Sequence, residues 1–268
     1  MHPTAIVNTN AELGENVEIG PYAFVGDNVK IGENTKIGSS VFIDKNVTIG
    51  KNNRIYPYAV IGTAPQDLKY RGEQTFLEIG DNNIIREFVT INRGTAATGK
   101  TIVGNKSLLM AYVHIAHDCR IGDEVILANA VNMGGFVQIG DYVIVGGMVP
   151  IHQFVRVGNL AVIGAGLRIV QDICPYIKVD GPPARPSGLN SIGLKRRNFS
   201  VEQKRALKRA YKIIFRLGYN NSQAVNILEE KLGDVPVVRE IIDFLVARST
   251  RGILKTVGHK RPGIDNNI

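Results

Sequence analysis

Cysteine is nearly missing from this 268-residue chain: only Cys119 and Cys174 are present, too few for a disulfide framework. No apolar run reaches membrane-spanning length, and no hydrophobic leader follows Met1-His2-Pro3. The expectation is therefore a reduced, cytoplasmic protein without stable membrane insertion. The length allows a substantial core without covalent staples, with one large domain and one smaller one as the natural division.

Acidic counterweight is also lacking, but only in one place. Residues 1–194 carry 16 Lys and Arg against 17 Asp and Glu, whereas residues 195–268 carry 16 against 7. A charge of +9 is thus concentrated in the last quarter of a chain whose net charge is +8. Such a patch suits an acidic partner: nucleic acid, an anionic membrane surface, an acidic carrier protein or a phosphorylated ligand. Charge alone does not choose among these, and a solvated helical face is the plain alternative.

What the chain has in abundance is periodicity. An apolar residue recurs at every sixth position from Val7 to Ile61, again at Ile79, Ile85 and Ile91, and then without a break from Val103 to Ile169. Glycine often follows it, as in Ile19-Gly20, Val25-Gly26 and Ile121-Gly122, where a turn needs a permissive backbone. Two places before it sits a small or β-branched side chain, such as Ala23, Val41, Val125 or Val143. Both positions are expected to point into a narrow core.

A period of six fits neither a helix nor a plain strand, and is the signature of a parallel β-helix in which each unit makes one short strand and one turn. The pattern resembles the hexapeptide-repeat proteins. That resemblance implies that three units close a triangular coil and that the solenoid winds left-handed. Residues 18 apart would then stack at about 4.8 Å, so roughly nine coils would stand on the order of 40 Å tall.

Two polar or glycine-containing stretches, Thr63 to Phe76 and Arg93 to Lys100, interrupt the pattern and read as protruding loops. The six-residue register survives both, so divergent coils are the alternative. Loops on a rigid scaffold tend to carry function. After Asp180 the pattern stops at Gly181-Pro182-Pro183-Ala184-Arg185-Pro186, where proline is expected to end the strands. The expected division is a β-helix over residues 1–190 and a helical domain over 191–268. Ser200 with Gln203 forms a capping box for a helix that Gly218 would stop; Ser222 would cap a second, and Pro236 would open a third.

If the repeat positions face inward, the histidines of the repeat face outward. Counted modulo 18, His114, His117 and His152 fall at 6, 9 and 8, which places them along one edge of the prism. His117 and His152 would be two coils, or about 10 Å, apart. Gly135 lies 18 after His117 and so directly on the next coil, where its uncovered N–H could serve a developing oxyanion. Two chemistries compete for the cluster. Zinc needs imidazoles converging to about 2.1 Å from one point, which a two-coil separation opposes within one chain. A general base suits histidine, whose ordinary pKa is about 6.5. Asp118 is the available carboxylate to orient it, provided that the two adjacent residues occupy a corner.

At these residues the sequence resembles the UDP-N-acetylglucosamine O-acyltransferases of lipid A biosynthesis. The similarity runs nearly end to end and includes Gly62-Thr63-Ala64-Pro65-Gln66-Asp67-Leu68-Lys69-Tyr70, His114-Ile115-Ala116-His117-Asp118-Cys119, Ile151-His152-Gln153-Phe154, Gly193-Leu194-Lys195-Arg196-Arg197 and Ala247-Arg248-Ser249-Thr250-Arg251-Gly252. The resemblance implies a homotrimer with a site in each cleft between β-helices. A 3-hydroxyacyl chain would pass there from acyl carrier protein to the 3-hydroxyl of UDP-N-acetylglucosamine, with the carrier thioester as acyl donor and no other cofactor, metal or nucleic acid.

By the same resemblance His117 is the general base, Asp118 orients it, and Gly135 offers the oxyanion donor. Gln66, Asp67, Lys69, His114, His152 and Gln153 would bind sugar, phosphate or pantetheine. Arg196 and Arg197 would contact the nucleotide phosphates, Asn190 joins the substrate-binding set, and Ala165 stands where a residue acts as a hydrocarbon ruler. The basic last quarter would meet the acidic carrier. Two positions depart from the family: Phe136 stands where members often carry histidine, and Ile192 where a glutamate can contact the nucleoside. Rival readings are a related N-acyltransferase, which usually carries an extra N-terminal domain, another hexapeptide-repeat acyltransferase, a zinc carbonic anhydrase-like β-helix enzyme, and a non-catalytic solenoid.

Overall fold

The computed structural model of the chain describes residues 1–255. Short strands, mostly of two residues, assemble into three sheets in which every third strand of the chain is a neighbour. One sheet runs from Ile6–Val7 through Phe24–Val25 and Phe42–Ile43 to Pro150–Ile151. Three strands therefore close each coil of a left-handed parallel β-helix. Beyond the first coil, where Leu13 is 40% exposed, the six-residue units place two side chains inside: Val41 and Ile43, or Val113 and Ile115, are at most 1% exposed. Each such aliphatic side chain contributes about 1.5–3 kcal/mol by leaving water.

The corners explain the six-residue unit. Among the described residues twenty-two non-glycine residues have positive φ, and most are spaced by six, from Asn16, Tyr22 and Asn28 to Asp118, Phe136 and Phe154. The left-handed region is costly for side-chain-bearing residues and least so for asparagine. Asparagine fills many of the early corners, and Asn28 Nδ2 donates to Asn46 Oδ1 one coil above at 2.9 Å. Inward Asn53, Asn83 and Ser107 form a polar ladder: Asn83 N donates to Asn53 Oδ1 at 2.9 Å, and Ser107 N to Asn83 Oδ1 at 2.8 Å, whereas the inward Thr75 hydroxyl has no partner among the described residues.

The two interruptions are loops. Ile61 pairs with Ile91 and Val47 with Leu77, so the loop between strands Val60–Thr63 and Phe76–Ile79 adds twelve residues to an eighteen-residue coil. Leu77 pairs with Thr101, so the loop before Lys100–Val103 adds six. Both insertions are multiples of the repeat, which is why the period passed through them unchanged.

The proline-rich segment corrects the expectation that strands end there. Ile177–Asp180 pairs with antiparallel Arg185–Leu189, which contains Pro186. Proline is tolerated because Arg185–Leu189 is the sheet's terminal strand and its register shifts near Val179. Four helices follow among the described residues: α1 (Ser191–Arg196), α2 (Val201–Phe215), α3 (Asn221–Leu232) and α4 (Pro236–Val246). The Ser200–Gln203 capping box and the Pro236 start are present. The cap of α3 is Asn220 rather than Ser222, and α2 ends before Gly218, with Arg216 at its C-cap. α1 escaped the sequence reading, being a short helix with a glycine inside it.

Candidate active site

His117 follows the strand His114–Ile115 and precedes the corner residue Asp118. Two adjacent extended residues would point to opposite faces. With φ at 62°, Asp118 turns its carboxylate back beside its neighbour, and Oδ2 lies 2.7 Å from His117 Nδ1. Burial pushes the Asp118 carboxyl up, but hydrogen bonds from His117, Thr98 and Thr95 together outweigh it and hold the group below its ordinary range. An ionised carboxylate only accepts, so the His117 proton resides on Nδ1. Nε2 carries the lone pair and has no protein partner among the described residues.

The outward register of His117 holds, but the side chain is not solvated. His117 is 7% and Asp118 3% exposed, because the six-residue insertion folds over the corner. Gly94 and Gly99 allow that insertion to be tight: a Cβ on Gly94 would meet Lys100 N at 2.4 Å, and Gly99 has φ at 77°. Thr95 and Thr98, which bind Asp118 from this loop, were missed as individual residues, although the loop itself had been singled out.

Gly135 lies one coil on: Phe136 N donates to His117 O, and Phe154 N to Gly135 O, so residues 117, 135 and 153 are stacked. The Gly135 N–H has no acceptor among the described residues and is free to donate. Phe136 sets its ring edge-on to the imidazole, centroids 5.4 Å apart at 88°, and stacks on Phe154 at 4.9 Å.

His114 is half-buried with Nδ1 2.7 Å from Thr90 Oγ1. Burial, then the nearby His117, lower its pKa, so it is neutral at pH 7. His152 is exposed on the same edge, two coils beyond His117. The backbone carbonyl of Gln153 accepts from Arg251 Nε at 2.7 Å, which ties the segment after α4 to this edge. Among the described residues no three of His, Cys, Asp and Glu are grouped as a metal site requires.

Gln66, Asp67 and Lys69 belong to the twelve-residue loop, which leaves the same edge. Gln66 and Lys69 are exposed, Asp67 Oδ1 accepts from Lys69 N at 2.9 Å, and Leu68 at the tip is 96% exposed. Other expected residues lie elsewhere. Arg197 pairs with Glu124 and stacks over Tyr142 at 3.6 Å, on the edge between the second and third sheets, with exposed Arg196 beside it. Ala165 is exposed on the third edge, against Gly146 of the coil below. Asn190, expected among the substrate contacts, has a structural task in the chain. Its Oδ1 caps α1 at Gly193 N, its Nδ2 donates to Leu160 O, both at 2.9 Å, and the residue is 8% exposed.

Residues 172–254 match the family model described as UDP-N-acetylglucosamine O-acyltransferase, domain 2, and residues 10–45, 28–63 and 100–135 match the bacterial transferase hexapeptide model. The acyl-[acyl-carrier-protein]--UDP-N-acetylglucosamine O-acyltransferase of Chlorobaculum tepidum is 59% identical over 248 residues, covering 92% of this chain and 94% of the relative. This chain belongs to the UDP-N-acetylglucosamine O-acyltransferase family. Solved structures of family members superpose closely. The Moraxella catarrhalis enzyme gives a TM-score of 0.92 at 44% identity over 94% of this chain and 98% of its own. The Bacteroides fragilis enzyme gives 0.91 at 46% identity over 95% and 99%. The domain 2 match of this family begins inside the last coil, so it spans the terminal antiparallel hairpin together with all four helices. No helix among the described residues is long and apolar enough to cross a membrane.

Proposed function

We infer that this chain is an acyl-[acyl-carrier-protein]--UDP-N-acetylglucosamine O-acyltransferase of lipid A biosynthesis, moving a 3-hydroxyacyl chain from the carrier thioester to the sugar 3-hydroxyl with His117 as general base. The observation that carries the role of His117 is the dyad itself: Nδ1 is committed to Asp118 at 2.7 Å, Nε2 is free, and Gly135, with an N–H unpaired among the described residues, lies on the next coil directly above.

That geometry supports the following reaction. His117 Nε2 takes the proton of the sugar hydroxyl as its oxygen attacks the thioester carbonyl, forming a C–O bond. The Gly135 N–H donates to the oxygen that becomes negative. When the C–S bond breaks, the leaving thiolate takes the proton from Nε2 and the carrier departs as its free thiol. Asp118 stabilises the imidazolium in between without taking its proton. A positioned base supplies about 10²–10⁴ in rate, and an oxyanion donor about 10²–10³.

The active unit is a homotrimer. Supporting this, the dyad, the Arg196–Arg197 pair and Ala165 occupy three different edges of one prism, so a cleft between two copies would bring sets from different edges together. Gln66, Asp67 and Lys69, on a loop exposed along the dyad edge, are suited to reach substrate in that cleft alongside His114, His152 and Gln153. The exposed basic side chains of α2 face the acidic carrier.

The test is acyl transfer from a panel of 3-hydroxyacyl carrier proteins to UDP-N-acetylglucosamine, with His117→Ala alongside. Turnover by the parent and a loss of at least a hundredfold in the variant are expected. A variant within tenfold of the parent overturns the base.

A further inference from the structure

We propose that Thr95 and Thr98, on the six-residue loop over the corner, are positioning residues that clamp the Asp118 carboxylate and through it set the orientation and proton affinity of His117. The inference rests on the general-base reading and extends it to residues outside the reacting pair.

All positions around the carboxylate are occupied by donors. Asp118 Oδ1 accepts from Thr95 N at 3.0 Å and from the Thr98 hydroxyl. Oδ2 accepts from the Thr95 hydroxyl at 2.8 Å and from His117 Nδ1 at 2.7 Å. The backbone of Asp118 is fixed too, its N–H donating to Thr101 Oγ1 at 2.8 Å. The carboxylate is fully buried, so water does not replace a lost donor freely.

The loop is built to deliver these groups. Thr95 O accepts from Gly99 N at 2.8 Å, closing a turn, and Thr95 Oγ1 also accepts from Ala97 N at 3.2 Å. The Thr98 hydroxyl has one proton, and both Asp118 Oδ1 and Lys100 O are within reach; the carboxylate is the nearer and the charged acceptor. The other ionisable groups around the pair do not compete for the carboxylate. His114 is neutral and turned to Thr90, buried Cys119 is pushed up to about 12, Lys100 is paired with Glu78 and Arg93 with Asp44.

Two consequences separate a clamp from a loop that merely covers the site. Donors to the carboxylate stabilise its charge and so temper its pull on the His117 Nδ1 proton. Removing a hydroxyl makes Asp118 more basic, favours the imidazolium, and moves the acid limb of the kcat/KM profile to higher pH. It also frees the carboxylate to rotate, which misaligns Nε2 and lowers kcat with little change in sugar binding.

Thr98 is exposed, so Thr98→Val is the variant of choice; Thr95→Val is the second, and thermal melting reports folding for each. Expected for Thr98→Val are a kcat reduced about tenfold, a KM for the nucleotide sugar within about twofold, and an acid limb raised by about half a pH unit. Thr98→Ser should restore all three. His117→Ala is assayed in parallel. If it is inactive while folded Thr98→Val and Thr95→Val keep the parental kcat and pH profile, the clamp is overturned and the base stands. An active His117→Ala overturns the base and the clamp together.

Discussion

The His117 imidazole occupies the space where any side chain on Gly135 would begin: a Cβ there would fall 2.5 Å from Cε1 and 2.7 Å from Nε2. The ring is held at Nδ1 by a buried carboxylate and has little freedom to retreat. Gly135→Ala should therefore lower kcat by about a hundredfold through displacement of Nε2. The overpacking should cost about 1–3 kcal/mol of stability. Steady-state kinetics with a thermal melt separates the two effects, and an Ala variant with parental kcat would contradict the contact.

Asp118→Asn tests the orienting carboxylate. The folded-state pKa of Asp118 lies below its ordinary value, so its contribution to stability is present above the unfolded aspartate pKa of about 4 and is lost as pH falls through the folded value. Denaturant titrations should show Asn less stable than the parent at pH 7, with the gap closing below about pH 4. A gap independent of pH would mean that the carboxylate charge is not what the loop binds.

Two rungs above Arg120, Arg156 forms a second largely buried pair with Asp172. Arg156 Nε reaches Asp172 Oδ2 at 2.8 Å, and the two side chains are 13% and 0% exposed. Asp172 also binds the segment after α4 through Gly252 O and Leu254 N. Asp172→Ala leaves the guanidinium unpaired, and a loss of about 3–5 kcal/mol is expected. The midpoint of chemical denaturation measures it; a shift under 1 kcal/mol would refute the assignment.

On α2, Arg205 and Lys208 are exposed with Lys204 half-buried beside them, and none is salt-bridged among the described residues. Reversing all three to glutamate should raise KM for the acyl carrier substrate, leave KM for the nucleotide sugar alone, and abolish most of the salt dependence of the former. An unchanged carrier KM would place docking on another surface.

Ala165 is exposed on its edge, so its side chain is available to a neighbouring copy. Ala165→Gly should move preference toward longer 3-hydroxyacyl chains and Ala165→Met toward shorter ones, by about 1–3 kcal/mol in discrimination per methylene. Superimposable kcat/KM profiles across chain length would show that the tail ends elsewhere.

The solenoid was legible because its core is periodic, and Val41, Ile43, Val113 and Ile115 could be placed inside by counting alone. The same count put Gly135 on the coil directly above His117. The contact between His117 and Asp118 could be stated only as a condition, because it depends on a backbone angle at Asp118. Thr95 and Thr98 were invisible for a related reason: an inserted loop breaks the eighteen-residue register, so sequence distance no longer reports spatial distance. The capping role of Asn190 was not legible, because a cap and a ligand contact draw on the same side-chain chemistry and only the positions of Gly193 N and Leu160 O reveal the cap.

Because residues 117, 135 and 153 repeat the same corner on successive rungs, positions along this edge come in steps of about 4.8 Å. The scaffold is a ruled scale. A catalytic group can move by one whole rung or stay where it is, and a shift of a rung is far more than the length of a carbon–carbon bond. A substrate one methylene longer or shorter differs by much less than a rung, a step on the scale of a single outward side chain rather than of the coil repeat.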